Sequence, residues 1–300
     1  GVHRHEIVLR DLLPGTRYFY EALSADGGTQ SGTFRTAPGK GQPLHFVFHG
    51  DLQGGINESG AQGVSDRIVQ EDPALVVSLG DMAEEAFSGS GFETWDVFFR
   101  ICSNELSRTV YMPIMGNHDA APGSDYTRGL FHRLFSLPDP SPGHGHYAYG
   151  FGNVRFIALN TEIPADGQND WLARELQAAA NDTNADWIVA LCHRPPYSWG
   201  ERAGDEHYRT NWGPLLTCYE ANWLVSGHSH NYQRMVPIRG VRYLVGGGGG
   251  ASLYASAVDQ PAQAFATTCY HYVSAQVTND TMQLRGIRSD GRIFDTVVVT

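Results

Sequence analysis

The sequence predicts a layered α/β fold that is preceded by a short all-β segment. Between residues 44 and 230, short apolar runs typical of buried strands each end in a polar cluster. Helix-like segments such as residues 63–70 and 170–180 lie between several of these runs, and this alternation is typical of α/β layers. Before residue 38, Pro-Gly and Gly-Gly turn signals separate strand-like stretches instead.

The composition is that of a globular protein large enough for one core and a small accessory domain. The chain has 300 residues, of which 41% are hydrophobic and 18% are charged. A formal charge of -11 argues against a nucleic-acid-binding surface, which needs clustered Lys and Arg. No apolar run approaches the roughly 20 residues of a membrane span. No signal segment opens the chain, although a leader removed by processing would leave the same sequence.

The first segment, residues 5–41, is expected to form three strands. Its part from Leu13 to Tyr18 resembles the corner of a fibronectin type III sandwich, in which a tyrosine hydroxyl returns to the upstream backbone. Such a sandwich has about seven strands. Either the chain begins inside a domain, or the segment packs its apolar face on the rest. We therefore expect a partial fibronectin type III-like segment at residues 1–38 and a second, larger domain at residues 42–300.

The core strands are expected to deliver polar side chains to one place. The runs LHFVFHGD, ALVVSLGD, VYMPIMGNHD, WIVALCH and NWLVSGHSH all end in polar residues. Open α/β sheets place their ligand sites at the carboxyl ends of strands. The candidate site residues are Asp51, Asp81, Asn117, His118, His193, His228 and His230.

Mixed oxygen and nitrogen donors suit zinc, manganese or iron better than calcium, which takes oxygen ligands. One ion needs about four to six ligands, so the seven candidates are more than one ion requires and enough for two. A carboxylate can bridge two cations about 3.5–4 Å apart, a spacing that suits displacement at phosphorus. Phosphate ester cleavage is then the expected reaction. An isolated Gly-His-x-His is more simply a turn with solvated histidines, so the interpretation depends on the whole set.

The ordered motifs GD, GD, GNHD, H and GHxH resemble those of the calcineurin-like metallophosphoesterases. The preceding all-β segment makes the chain most similar to the purple acid phosphatase branch. Further likeness lies in residues 193–198, 230–234 and 245–254. The resemblance implies a β-sandwich core flanked by helices in αββα layers, and a secreted or periplasmic enzyme.

The resemblance also implies roles for the candidate residues. Asp81 would bridge two divalent or trivalent ions of iron, zinc or manganese. Asp51 and His230 would hold the first ion, and Asn117, His193 and His228 the second. A metal-bound hydroxide would attack the phosphorus, while His118 would contact the phosphate or protonate the leaving oxygen. Asn117 and His207 are further candidates for contact with the substrate, although His207 on its charged loop is also explained as a solvated histidine.

Two positions depart from the family pattern. The first motif is Asp51-Leu52-Gln53 where many members have Asp-x-His, and Glu84 stands where a purple phosphatase has its metal-binding tyrosine. We expect Glu84 or Gln53 to complete the shell of the first ion; if neither does, we expect that ion to bind weakly. Because the coloured tyrosinate is missing, we predict a colourless protein. A ferric charge-transfer band in its visible spectrum would contradict that prediction.

Several other features have simpler explanations. His118 is also explained as a residue that contacts a metal ligand and not the substrate. His144 and His146 precede a strand, so they are interpreted as surface residues, with a second metal site as the alternative. The glycines at 246–250 lack a following Gly-Lys-Ser/Thr and are explained by close backbone approach. Arg194 and Arg202 could meet a phosphate oxygen but are more simply solvated. The four cysteines form up to two disulfides or remain thiols.

The leading hypothesis is a metallophosphoesterase that hydrolyses small-molecule phosphate monoesters. One alternative is a phosphodiesterase or nucleotide hydrolase on the same core. The other is a non-catalytic metal-binding protein whose altered first site holds one ion or none.

Overall fold

The structure is a computed structural model that describes residues 4–25, 27–53, 57–84, 92–120, 129–138, 144–256 and 260–300. Its N-terminal part is an antiparallel hairpin of β1 (Arg17–Leu23) and β2 (Thr29–Arg35). The third strand expected here is wrong, because residues 5–10 form no strand and belong to none of the described sheets. The predicted corner is confirmed: the Leu13 amide donates to the Tyr18 hydroxyl at 2.8 Å.

Several apolar side chains of this N-terminal part face solvent. Ile7, Phe19 and Leu23 are 81%, 80% and 75% exposed, respectively. The expectation that the segment packs its apolar face on the rest is therefore not met for these residues.

Two sheets form the core, and together they contain all the described strands after the N-terminal hairpin. In chain order the strands are β3 (Leu44–His49), β4 (Leu75–Ser78), β5 (Val110–Pro113), β6 (Tyr147–Phe151), β7 (Val154–Ala158), β8 (Trp187–Cys192), β9 (Trp223–Ser226), β10 (Tyr232–Met235), β11 (Arg242–Gly246), β12 (Gln263–Thr267), β13 (His271–Val277), β14 (Met282–Arg288) and β15 (Ile293–Val299). The first sheet has the order β15-β14-β13-β3-β4-β5, in which β3, β4 and β5 are parallel. The second has the order β12-β10-β11-β9-β8-β7-β6, in which β11, β9, β8 and β7 are parallel.

Helices cover the outer faces of the sheets. They are α1 (Glu58–Glu71), α2 (Phe92–Ile101), α3 (Ser103–Leu106), α4 (Leu130–Leu134), α5 (Asn169–Asn181), α6 (Glu206–Asn211) and α7 (Gly213–Cys218). The side chain of Asn57 caps α1 by accepting the Gly60 amide at 3.2 Å. In the described ranges no helix combines the length and apolar character needed to cross a lipid bilayer.

Alternation along the strands explains the layers. Phe46 and Phe48 point between the sheets and share one core with Phe156 and Val189, whereas Val47 faces outward to α1. The outer face of the second sheet packs on α5 through a separate apolar cluster. The result is the expected αββα arrangement. All four cysteines are free thiols, and three of them are buried.

Candidate metal centre

The predicted site residues lie just beyond the carboxyl ends of parallel strands in both sheets. Asp51 follows β3, Asp81 follows β4 and Asn117 lies beyond β5 in the first sheet. His193 directly follows β8 and His228 follows β9 in the second sheet. The sandwich brings these loops together at one end, where side chains from both sheets can meet.

Three of the loops turn through left-handed backbone at the candidate ligand itself. The φ angles are +59° at Asp51, +53° at Asp81 and +65° at His228. Non-glycine residues seldom adopt this region, and such conformations concentrate at functional sites.

His193 is the centre of the larger group of donors. Its Nε2 lies 3.1 Å from Asp81 Oδ2, 3.2 Å from Asn117 Oδ1 and 3.3 Å from His228 Nδ1. Its Nδ1 lies 2.8 Å from the carbonyl oxygen of Leu79, which can only accept, so that nitrogen carries the hydrogen. When a cation displaces the proton from Nε2, the lone pair of Nε2 points at the other candidate ligand atoms, as in metal-bound histidines held by a backbone carbonyl.

These donors fit a metal ion in spacing and in charge. Ligand atoms about 2.1 Å from a tetrahedral ion lie about 3.4 Å from one another, and the spacings around His193 Nε2 are close to that value. Burial acts to raise the pKa of Asp81, but His193 and His118 outweigh it and hold that pKa below its ordinary value. Burial likewise acts to lower the pKa of His193, but the carboxylates of Asp81 and Asp51 raise it to about 10. The pocket thus favours positive charge at the point where the candidate ligand atoms converge.

His228 is the exception in this group. Burial, followed by the charges of His193 and Arg194, lowers its pKa to about 2, so it offers a neutral imidazole. In the described part of the chain, Asp81, His193 and His228 form the one group of three His, Cys, Asp or Glu side chains whose ligand atoms lie within 4.8 Å of one another.

The smaller group consists of Asp51 and His230. His230 Nε2 lies 3.4 Å from Asp51 Oδ1, and its Nδ1 lies 2.7 Å from the Ser252 carbonyl oxygen. The Asp51 carboxylate accepts the amide of His228 at 2.8 Å, which ties the two groups together. The ring of Tyr254 stacks on His230 with centroids 4.0 Å apart and fixes its plane.

The two positions that depart from the family pattern also border the site. Gln53 is buried, and its Nε2 donates to Asp81 Oδ2 at 3.4 Å. Glu84 lies beside His118 instead, with its Oε2 3.4 Å from His118 Nδ1. The other ring nitrogen of His118 is 4.0 Å from Asp81 Oδ2, and the His118 amide donates to Asp81 Oδ1 at 2.8 Å.

His207 is placed apart from this cluster. It is exposed on α6, where its Nδ1 lies 3.2 Å from the amide nitrogen of Asn211 and its ring contacts Tyr208. None of the contacts found among the described residues joins it to Asp81 or His193.

Two further histidines differ from expectation. His144 is exposed as predicted, but His146 is buried, with its ring stacked on His144 at 5.7 Å and against Trp171 at 4.5 Å. The interpretation of His146 as a surface residue is therefore wrong, because Trp171 of α5 covers it.

The glycines around the site are explained by close approach, as the sequence predicted for residues 246–250. A Cβ on Gly247 would lie 2.8 Å from Asp51 Oδ2, and one on Gly227 would lie 2.6 Å from the same atom. On Gly116 it would lie 2.2 Å from Asp81 Oδ1. Any side chain at these positions would displace a candidate ligand.

Asp119 supports the site, although no role was predicted for it. The buried Asp119 carboxylate accepts the amides of Asp81, Met82 and Gly116 at 2.8–3.0 Å. Burial and the nearby Asp81 raise its pKa to about 7. Its position in the GNHD motif was the only available signal.

Arg194 and Glu162 form an ion pair that also supports the site. Arg194 was interpreted as solvated, yet its side chain is only 33% exposed and is paired with Glu162, which is 11% exposed. Glu162 follows the apolar run of β7, and this position at a strand end is the signal in the sequence that could have identified it.

A surface cleft of about 600 Å³ lies elsewhere, between the N-terminal hairpin and α3. Its walls include Arg17, Tyr20 and Ser107 and none of the candidate ligands. The chemistry of the donor cluster therefore marks the site better than the size of a cavity does.

Comparison with known proteins identifies the family of this site. The profile of the calcineurin-like phosphoesterases matches residues 44–232. The chain is similar to purple acid phosphatase 23 of Arabidopsis thaliana, with 26% identity over 77% of this chain and 57% of the relative. It is also similar to human acid phosphatase type 7, with 26% identity over 78% of this chain and 57% of the relative. The chain thus spans about half the length of the curated relatives it matches.

A solved structure matches the whole layered arrangement. The purple acid phosphatase from yellow lupin seeds superposes with a TM-score of 0.86 and 23% identity, covering 97% of this chain and 61% of that one. This likeness confirms the predicted fold class.

Proposed function

The chain belongs to the calcineurin-like phosphoesterase family, and from that premise we propose that it hydrolyses phosphate monoesters with two metal ions held at the strand ends. The observation that carries the proposal is the convergence of Asp81, Asn117 and His228 on His193 Nε2. Donors from two sheets meet there in a pocket that favours positive charge.

In this proposal the two groups of donors hold one ion each. Asp51 and His230 hold the first ion, and the side-chain amide of Gln53 lies beside this site. Asn117, His193 and His228 hold the second, and Asp81 is shared. When bound, zinc, manganese or iron would polarise phosphoryl oxygens and lower the pKa of a coordinated water towards neutrality.

The residues of the chain then divide the remaining work. His118 lies beside the shared carboxylate, and Glu84 next to its Nδ1 orients the ring. We assign His118 to proton donation to the leaving oxygen and to contact with the phosphate. Asn117 positions the phosphate from the side of the second ion. His207, exposed on α6, is assigned only an outer contact with the leaving group.

The proposal is tested by phosphate release from an aryl phosphate monoester by metal-loaded protein. Asp81→Ala removes the shared donor, and we expect loss of at least one ion and a fall in turnover on the order of 10³-fold. Asp170→Ala removes a carboxylate from an exposed position on α5 and should leave turnover unchanged. Wild-type turnover by Asp81→Ala, or activity that survives chelation, would contradict the proposal.

The altered first site motivates a second candidate, a non-catalytic metal-binding protein. Gln53 turns its amide nitrogen towards Asp81 Oδ2, where a ligand would present a lone pair. Metal counting on protein isolated without chelators separates the two candidates. Two ions per chain support the enzyme, and a single ion that added metal cannot supplement supports the second candidate.

The substrate class is part of the same proposal. A phosphodiesterase or nucleotide hydrolase would use the same ions, so turnover of aryl monoesters is to be compared with that of bis-aryl diesters. We further propose that residues 42–300 form the catalytic domain and residues 1–38 a partial fibronectin type III-like segment, and that the enzyme acts outside the cytoplasm on small-molecule phosphate esters.

A further inference from the structure

Arg194 and Glu162 form a fixed pair at the edge of the donor cluster. They lie beyond the carboxyl ends of β8 and β7, which pair in parallel with Ala158 opposite Leu191. Arg194 Nε is 3.0 Å from Glu162 Oε1, and its Nη2 is 3.3 Å from Oε2. This two-point contact fixes the plane of the guanidinium.

The surroundings of the pair reinforce its position. The Thr161 hydroxyl donates to Glu162 Oε1 at 3.1 Å and accepts the Arg194 amide at 3.3 Å. The Tyr208 hydroxyl in turn donates to the Thr161 carbonyl at 2.7 Å. The pair is therefore anchored to α6 as well as to the sheet.

The remaining nitrogen of the guanidinium faces the metal centre. Arg194 Nη1 lies 3.3 Å from His228 Nε2, while His228 Nδ1 faces the donors around His193. If Nδ1 gives its lone pair to a cation, the neutral ring carries its hydrogen on Nε2. Nη1 and Nε2 are then two donors that face each other, and neither can satisfy the other. An anionic acceptor placed beside both would satisfy them.

We propose that Arg194 binds a non-bridging oxygen of the substrate phosphoryl group, together with His228 Nε2, and that Glu162 is the positioning residue that aims it. The inference rests on the proposed function and adds to it a residue that sets affinity for the phosphoryl group. A monoester presents three non-bridging oxygens and a diester two. Arg194 therefore favours monoesters if the ions take the other two oxygens.

The experiment measures the Kd of inorganic phosphate for metal-loaded protein by titration calorimetry, together with the metal content of each variant. Arg194→Gln should weaken phosphate binding by about 10- to 100-fold, the effect of one hydrogen bond to a charged group. Arg194→Lys keeps the charge without the planar fork and should recover part of the affinity. Arg174→Gln removes the same charge from an exposed position on α5 and should change the Kd less than twofold.

Glu162→Gln tests the positioning role. It leaves Arg194 in place but removes the charged half of the clamp, so we expect phosphate binding to weaken by about 3- to 10-fold. The monoester KM should rise more than kcat falls, because the contact acts on binding.

Two outcomes would overturn the inference. One is Arg194→Gln with the wild-type metal content and a phosphate Kd within twofold of wild type. The other is loss of metal from both Arg194 variants, since Arg194 would then act through His228 and not on phosphate.

The two proposals fail separately. Metal-loaded wild type that binds phosphate through Arg194 but releases none from an aryl ester would overturn the proposed hydrolysis and keep this inference. Hydrolysis with a phosphate affinity independent of Arg194 would do the reverse.

Discussion

Asp119 is not itself a candidate metal ligand, but it holds in place the loops that carry the candidate ligands Asp81 and Asn117. Its carboxylate receives the backbone amides of Asp81 and Gly116, which belong to two different strand ends. It also accepts the Met82 amide, so the loop that carries Asp81 is held at two successive peptides. A buried backbone N–H group that has no acceptor lowers the free energy of unfolding.

Asp119→Asn is expected to weaken metal binding by about 10- to 100-fold, the usual effect of removing a group that orients a metal ligand. One carboxylate oxygen becomes an amide NH2 group that cannot accept. Because each oxygen of Asp119 accepts two backbone amides, two of these amides lose their partner. The metal-free variant should also lose about 1–3 kcal/mol in free energy of unfolding. Metal titration and denaturant unfolding measure the two effects, with Asp170→Asn as the control. Wild-type metal affinity in Asp119→Asn would rule out this role.

At the scale of the elements, the strand ends that carry the donors could be predicted because each one follows an apolar run. β3, β4, β5, β8 and β9 all begin and end close to the predicted runs, and α1 and α5 cover the predicted helical segments. The calcineurin-like family was predictable for the same reason, since its motifs are strand ends in a fixed order.

The parts that could not be predicted depend on pairing between distant segments. Arg194 and Glu162 are 32 residues apart and meet only because β7 and β8 are parallel neighbours. His146 is buried only because α5 packs over it. Residues 5–10 have a strand-like composition, but a strand also needs a neighbour with which to pair. None of these partners can be recognised from local sequence.

One strand also carries a pH-dependent contribution to stability. His271, at the start of β13, is fully buried, and its Nδ1 lies 2.8 Å from the Cys269 carbonyl oxygen. Burial lowers its pKa from 6.5 to about 4. The folded chain therefore binds this proton less readily than the unfolded chain does. The stabilisation is present above pH 6.5 and is lost as the pH falls towards 4.

His271→Asn is expected to remove this pH dependence while its amide keeps a donor for the Cys269 carbonyl. Between pH 6.5 and pH 4 the wild type should lose on the order of 3 kcal/mol more free energy of unfolding than the variant. Denaturant unfolding of both metal-free proteins across that range measures the difference. A difference between wild type and variant that stays constant with pH would show that His271 is not the cause.

At the scale of the whole molecule, the candidate centre joins the two sheets. Asp51 and Asp81 come from the first sheet, and His193, His228 and His230 come from the second. Without a cation the contact between them depends on hydrogen bonds such as that from the His228 amide to Asp51. A cation shared by both sets would tie the layers together at the end of the sandwich.

Metal binding should therefore stabilise the entire fold and not only the loops. At a free metal concentration 100 times the Kd, the gain is about 2.7 kcal/mol for one site, which raises the Tm by about 5 °C for a chain of this size. Thermal unfolding with and without zinc or manganese measures the shift. Asp81→Ala lacks the donor shared by both groups, so its Tm should respond much less than that of Asp170→Ala. Equal shifts in the two variants would mean that metal binds elsewhere, and the sheets would then be held together by their apolar core alone.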